Sequence, residues 1–193
     1  MDNYDQRLVV DDEDRGNWLQ TFSGLKFYPL DPRPEEIDIK DIARALSHMA
    51  RFNGHTNQFY SVAQHSVMCA DLAPDQFRLE ALLHDASESY IADLVRPAKV
   101  NLPDYLKMEE GIQRAINHKY GVSYPISPIV KEIDNRMLVT EARFLLRHHK
   151  DGSDWWRAPD APPPYDIQMR AWTPEHARQR FIESFNILSN MKN

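Results

Sequence analysis

The sequence predicts an all-α helical bundle opened by a short β-hairpin, and three observations carry that prediction. Apolar residues recur at three-and-four spacing in a series of segments. Helix-start signals stand in front of several of those segments, at Ser61, Ser127 and Thr173. Strand signal is confined to one place near the N-terminus, where aromatic and small residues flank a Ser-Gly turn. A length of 193 residues and 42% hydrophobic content suit one domain with a proper core. The expected division is a tail over residues 1–16 and a single domain over 17–193.

Along the chain, the opening residues, including Asp11-Asp12-Glu13-Asp14, are polar and acidic with little periodicity and read as a tail or a loosely docked arm. Thr21 to Tyr28 is the hairpin, after which Pro29, Pro32 and Pro34 break any regular element. Helices are expected over about Ile39 to Phe52, Ser61 to Leu72, Gln76 to Ile91, Asp104 to Tyr120, Pro128 to His149 and Pro174 to Met191. Ser61-Val62-Ala63-Gln64 has the form of a capping box. Ser127-Pro128 and Thr173-Pro174 pair an N-cap with a proline at the first helical position, while Gly121 and Gly152 act as stops. The irregular stretch from Asp151 to Trp172 holds Trp155, Trp156 and three consecutive prolines. It is expected to pack back on the bundle, because an exposed Trp pair would form a sizeable apolar patch.

Composition excludes several function classes. A formal net charge of −6 weighs against binding a nucleic-acid polymer, which depends on basic surface to displace phosphate counterions. No run of 18 or more apolar residues and no signal segment points to a membrane or to export, so a reducing cytoplasm is the default compartment. The single cysteine, Cys69, has no partner for an internal disulfide and reads as a small core residue. No glycine-rich phosphate loop is present, so any phosphate chemistry must run through side chains and metal.

The costliest feature is the pair His84-Asp85 inside the apolar run Leu79 to Tyr90. An ionised carboxylate beside an apolar stripe is penalised by several kcal/mol, on the order of what a lost hydrogen-bonding shell costs, unless a cation accompanies it. Neighbouring helical residues point about 100° apart, so this pair can grip one ion but cannot complete its coordination. His65, early in the helix opened by Ser61, and Asp134, near the apolar face of the helix opened by Ser127, offer the rest. A lone buried histidine is more often a hydrogen-bonded core residue than a ligand. Two imidazoles and two carboxylates together make a ligand set for a first-row divalent ion, and the lack of thiolates argues against a closed structural zinc site.

In order and wording these residues resemble the HD-domain superfamily of metal-dependent phosphohydrolases. The segments Arg51-Phe52-Asn53-Gly54-His55-Thr56, Phe59 to Ser66, Leu82 to Glu88, Asp93 to Lys99 and Lys131 to Met137 are similar to the branch containing bacterial 5′-deoxynucleotidases and phage dATP triphosphohydrolases. The likeness covers roughly Gln20 to Leu146.

The resemblance implies an HD-domain helical bundle in which His65, His84, Asp85 and Asp134 hold cobalt, manganese, nickel, iron or zinc, with magnesium accompanying nucleotide phosphates. It makes Glu88 and Asp93 the catalytic carboxylates, and Glu88, three residues after Asp85 and four after His84, shares their helix face. Substrate contacts fall to Arg51 and Phe52, to Asn53 toward an adenine edge, and to Lys99 as a phosphate partner; Arg96 lies in the same motif segments. Phe52 stands where those nucleotidases have tryptophan. His55, Tyr28 and Phe27 are further candidates for the pocket border, with core or surface positions equally open. The implied reaction is hydrolysis of a dNTP, dATP preferred, to deoxynucleoside and triphosphate. Hydrolysis of dNMPs and a non-catalytic nucleotide-binding regulatory module are the alternatives, and homo-oligomeric assembly is implied as in relatives.

Overall fold

The computed structural model describes residues 15–147 and 161–191. Most of residues 1–16, the Gly152 stop and the Trp155-Trp156 pair therefore lie outside the described residues. What is described is mostly helical, with one very small antiparallel sheet.

That sheet is the expected hairpin. β1 (Leu19–Gln20) pairs with β2 (Lys26–Phe27), Leu19 opposite Phe27 and Gln20 opposite Lys26. The turn closes through Thr21 N–H to Leu25 O at 2.9 Å, and Gly24 takes φ +88°, a backbone region that disfavours other residues. Ser23 donates its N–H and its hydroxyl to the Asp41 carboxylate, each at 2.6 Å, fastening the hairpin to the first helix. Phe27 and Tyr28 are core residues and not a pocket border; Phe27 stacks on Tyr90 with centroids 3.8 Å apart.

α1 (Ile39–His48) starts at Asp38, whose side chain accepts the Lys40 N–H, and buries Ile42, Ala43 and Leu46. It stops four residues short of the expected Phe52. Met49 and Ala50 turn extended, Ala50 bridges to Ser61, and Arg51 N–H donates to Tyr60 O at 2.9 Å. A 3₁₀ turn over Arg51–Gly54 follows, with Phe52 and Asn53 both left-handed at φ +53° and +51°. Met49 and Phe52 keep helical spacing, so periodicity could not reveal a backbone pulled out of the helix by pairing with Tyr60 and Ser61.

α2 (Val62–Leu72) is the central element and packs on α1 and on three later helices, α3 (Arg78–Leu83), α7 (Pro128–Leu145) and α8 (Pro174–Asn190). Most of its residues are buried, as befits a helix surrounded on all sides. Ser61 caps it by accepting the Gln64 N–H, but the reciprocal half of the capping box is absent. Gln64 instead donates to Arg170 O at 2.7 Å and accepts from Trp172 N–H at 2.9 Å. With Tyr165 N–H on Thr140 and Arg136 on Pro163 O, these bonds hold residues 161–172 against the bundle.

The expected helix over Gln76 to Ile91 is two helices, α3 and α4 (Glu88–Ile91), joined by a tightened turn. Across it the backbone bonds run three residues back, Ala86 to Leu83, Glu88 to Asp85, Ser89 to Ala86 and Tyr90 to Ser87. This 3₁₀ winding eclipses residues three apart, bringing Asp85 and Glu88 onto one line. A short α5 (Arg96–Lys99) leads to α6 (Pro103–Lys119), which lies close to its expected span. α7 begins at Pro128 as expected, yet the Ser127 hydroxyl is not its cap. The Ser127 N–H donates to Glu80 of α3, which ties the start of α7 to the helix that ends just before His84. No described helix is long and apolar enough to cross a membrane.

Candidate metal centre

α2, the α3–α4 turn and α7 each deliver ligand-type side chains to one point. His65 Nε2 lies 3.3 Å from His84 Nε2, 3.2 Å from Asp134 Oδ1 and 3.6 Å from Asp85 Oδ2. His84 Nε2 lies 3.3 Å from Asp85 Oδ2 and 3.7 Å from Asp134 Oδ1. Ligands bound at about 2.0–2.2 Å to one ion stand roughly 3.0–3.5 Å apart, so these separations fit the edges of one coordination polyhedron.

The protons point the same way. Ala81 O can only accept, so the His84 Nδ1 that meets it at 2.7 Å must donate. His65 Nδ1 donates to Glu141 Oε1 at 2.6 Å, both side chains fully buried. A neutral imidazole held in this way turns an unprotonated Nε2 toward its neighbour and toward the two carboxylate oxygens. Four lone-pair atoms converging in that state call for positive charge, which a proton on Nε2 or a bound ion supplies.

The electrostatics agree. Burial works to raise the Asp85 carboxyl, but His84 beside it wins and brings it down to about 2. Burial likewise opposes ionisation of Asp134, and hydrogen bonds from His65 and His84 hold it well below the carboxylate range. The imidazoles shift upward against their burial, His84 chiefly through Asp85. The field at this point favours positive charge, whether a proton or an ion supplies it.

Two residues that sequence reasoning did not assign to the centre stand beside it. Glu141 takes His65 Nδ1 and also Arg51 Nε at 3.0 Å; seven residues after Asp134, it repeats the same face of α7 two turns on, which is the signal that could have found it. Cys69 is buried, and His65, Cys69 and His84 form a group whose ligand atoms lie within 4.8 Å and which could hold a metal ion. Its Sγ, however, is 3.6 Å from His65 Nε2 and 3.9 Å from Nδ1. Near-equal distances put the sulfur beside the ring, whereas a ligand sharing an ion with Nε2 would lie more than about 1 Å farther from Nδ1. The carboxylates fit the shared point better than the thiol does.

The centre opens into a cavity of about 1070 Å³, bordered by Asp85, Glu88, Asp93 and Asp134 at one end. Glu88 is 95% buried, since only 5% is exposed, and its Oε2 has no hydrogen-bond partner. Burial, then Asp85 and Asp93, push this carboxyl well above the usual range, and burial raises Asp93 as well. Asp93 follows Ala92, whose φ +76° and ψ 157° are rarely adopted by any residue with a side chain.

Three of the four expected substrate contacts line the cavity. Arg51 and Phe52 line the cavity, and so does His55, but Asn53 is exposed and does not. Arg51 is nearly buried, bound to Glu141 and, at 3.4 Å, to Asp85. Lys99 lines the cavity while paired with Glu109.

Comparison with known proteins assigns kinship. The chain is 43% identical over 176 residues to the uncharacterized protein YfdR of Escherichia coli, covering 91% of this chain and 98% of that one. The chain belongs to the YfdR family. It is also 29% identical over 186 residues to an uncharacterized protein of Rhodobacter capsulatus, covering 89% and 95% of the two chains. No family model matches the sequence.

Proposed function

We propose that this chain is an HD-type metal-dependent phosphohydrolase that hydrolyses deoxyribonucleotides, cleaving a dNTP, with dATP preferred, to deoxynucleoside and triphosphate. The observation that carries the reading is the convergence of His65 Nε2, His84 Nε2, Asp85 Oδ2 and Asp134 Oδ1 on one point beside the buried Glu88 carboxyl, whose Oε2 has no hydrogen-bond partner. The donor set, two imidazoles and two carboxylates, suits manganese, cobalt, nickel, iron or zinc.

A divalent ion held by these four residues supplies Lewis-acid polarisation of a phosphoryl oxygen and makes water more acidic. The chain supplies the rest. Glu141 and Ala81 O fix the two imidazoles in the tautomer that leaves Nε2 free. Glu88 and Asp93, both held above the ordinary carboxylate range by burial, take one proton from the attacking water and return one to the leaving sugar oxygen. Water adds to the phosphorus nearest the sugar, the bond from that phosphorus to the sugar oxygen breaks, and triphosphate leaves with the added oxygen. Phe52, at the cavity border, offers an aromatic face to the nucleoside.

Incubating metal-loaded protein with a panel of dNTPs and dNMPs, and resolving products by ion-exchange chromatography, tests the reading. Deoxynucleoside and triphosphate are expected from dNTPs. Orthophosphate from dNMPs alone would replace the triphosphohydrolase with a nucleotidase, and nucleotide binding without turnover would make the chain a regulatory module.

A further inference from the structure

Four arginine and lysine side chains line the cavity, namely Arg51, Arg96, Lys99 and Arg147. Two are already engaged. Arg51 is held by Glu141 and Asp85, and Lys99 by Glu109, so each is largely neutralised before any ligand arrives. Arg96 and Arg147 are exposed, and neither guanidinium has an ion-pair or hydrogen-bond partner among the described residues.

The backbones beneath them are anchored. Arg96 opens α5 ahead of Pro97, and its carbonyl accepts the Val100 N–H at 3.2 Å. Arg147 follows the end of α7, where Asn57 donates its N–H to Leu145 O at 2.8 Å and its side-chain amide to Phe144 O at 3.1 Å. With no partner among the described residues, the two guanidiniums are placed to receive an anion. Distance matters too. Leu145 closes α7 eleven residues after Asp134, so at 1.5 Å per residue the end of the helix that leads into Arg147 stands roughly 16 Å from Asp134 at the acidic end. That is too far for a group on the reacting phosphoryl and suits one farther along an extended anion.

We propose that Arg96 and Arg147 are the polyphosphate-reading pair of this cavity, which selects substrates carrying phosphates beyond the one at the acidic end. The inference rests on the proposed function in taking the acidic end as the place of the reacting phosphate. Guanidinium forks bind phosphate oxygens in pairs of charge-assisted hydrogen bonds, each pairing corresponding to at least about tenfold in affinity.

The test is calorimetric binding of inorganic tripolyphosphate and of orthophosphate to the full chain at one fixed metal loading. Wild type should bind tripolyphosphate at least tenfold more tightly than orthophosphate. The double substitution Arg96→Ala with Arg147→Ala should weaken tripolyphosphate at least tenfold and orthophosphate less than twofold, with Arg96→Lys plus Arg147→Lys intermediate. Lys107→Ala with Lys131→Ala, which removes the same charge outside the cavity, should retain the preference. No preference in wild type, an unchanged affinity in the arginine variant, or an equal loss in the lysine control would overturn the proposal. Nucleotide turnover is assayed separately: arginine-dependent tripolyphosphate binding without hydrolysis of any nucleotide would end the hydrolase reading and support the pair. Turnover of dNTPs to triphosphate by a chain that does not distinguish tripolyphosphate from orthophosphate would end the pair alone.

Discussion

His65 and Glu141 meet at 2.6 Å between Nδ1 and Oε1, across α2 and α7, with neither side chain exposed to solvent. The same carboxylate holds Arg51 Nε, and Arg51 reaches on to Asp85. One acid therefore orients an imidazole of the centre and, through a guanidinium, steadies a carboxylate of the same centre. An amide at position 141 can turn its oxygen to only one of two donors, leaving the other against an N–H. Glu141→Gln should lose about 2–3 kcal/mol in urea unfolding and about ten- to a hundredfold in metal affinity by competition with a chelator. Unaltered metal affinity would mean that Glu141 does not orient His65.

Metal should act as a folding ligand. Four convergent lone pairs exist only in the folded chain, so an ion at about a hundred times its dissociation constant should add roughly 2.7 kcal/mol of stability. Stripping the protein with chelator and adding back manganese, cobalt, nickel or zinc should lower and then restore the melting temperature. Asp134→Asn, which turns a carboxylate into a weaker amide ligand at the rim, should abolish most of that rise and the bound metal measured by elemental analysis. An equal rise in the variant would remove Asp134 from the ligand set.

The legibility of this protein divides by cause. Caps and prolines made the starts of α2, α7 and α8 readable, because those residues act through their own neighbours in sequence. The candidate ligands were readable because polar groups in apolar helices are costly, and the structure brings His65, His84, Asp85 and Asp134 close together. What was not readable depends on distant partners. The early end of α1 follows from pairing with Tyr60 and Ser61, and the tethering of α7 follows from Glu80 reaching Ser127. Arg51 and Lys99 looked like free cations in sequence, and only tertiary packing reveals their carboxylate partners, Glu141 and Glu109.

Glu88 sets a pH dependence whose sign can be worked out. In the unfolded chain a glutamate ionises near pH 4.3 or so, whereas burial beside Asp85 and Asp93 holds the folded carboxyl well above that. Below the unfolded value both states carry the proton and Glu88 contributes no difference. As pH rises toward the folded value the unfolded state loses its proton first, so stability falls. In chelator, urea unfolding of Glu88→Gln should show a shallower decline across that window than wild type. Metal-loaded Glu88→Gln should keep its ion yet lose about 10²–10⁴-fold in turnover. Equal slopes in the two proteins would show that Glu88 is not held protonated by the fold.

Ala92 is the last lever, because its strained backbone aims the residue that follows. At φ +76° and ψ 157° its N–H still donates to Glu88 O at 2.8 Å, and its carbonyl accepts the Tyr105 hydroxyl, so both sides of the peptide are fixed by partners. Such a conformation costs about 1–3 kcal/mol in any residue with a Cβ, and glycine removes that cost while adding some freedom to the unfolded chain. Ala92→Gly should therefore stabilise the fold by about 1 kcal/mol in chemical denaturation. The same change lets Asp93 leave its position at the cavity edge, so turnover should fall even as stability rises, with metal content unchanged. Stability and turnover rising together would mean that the strain does not position Asp93.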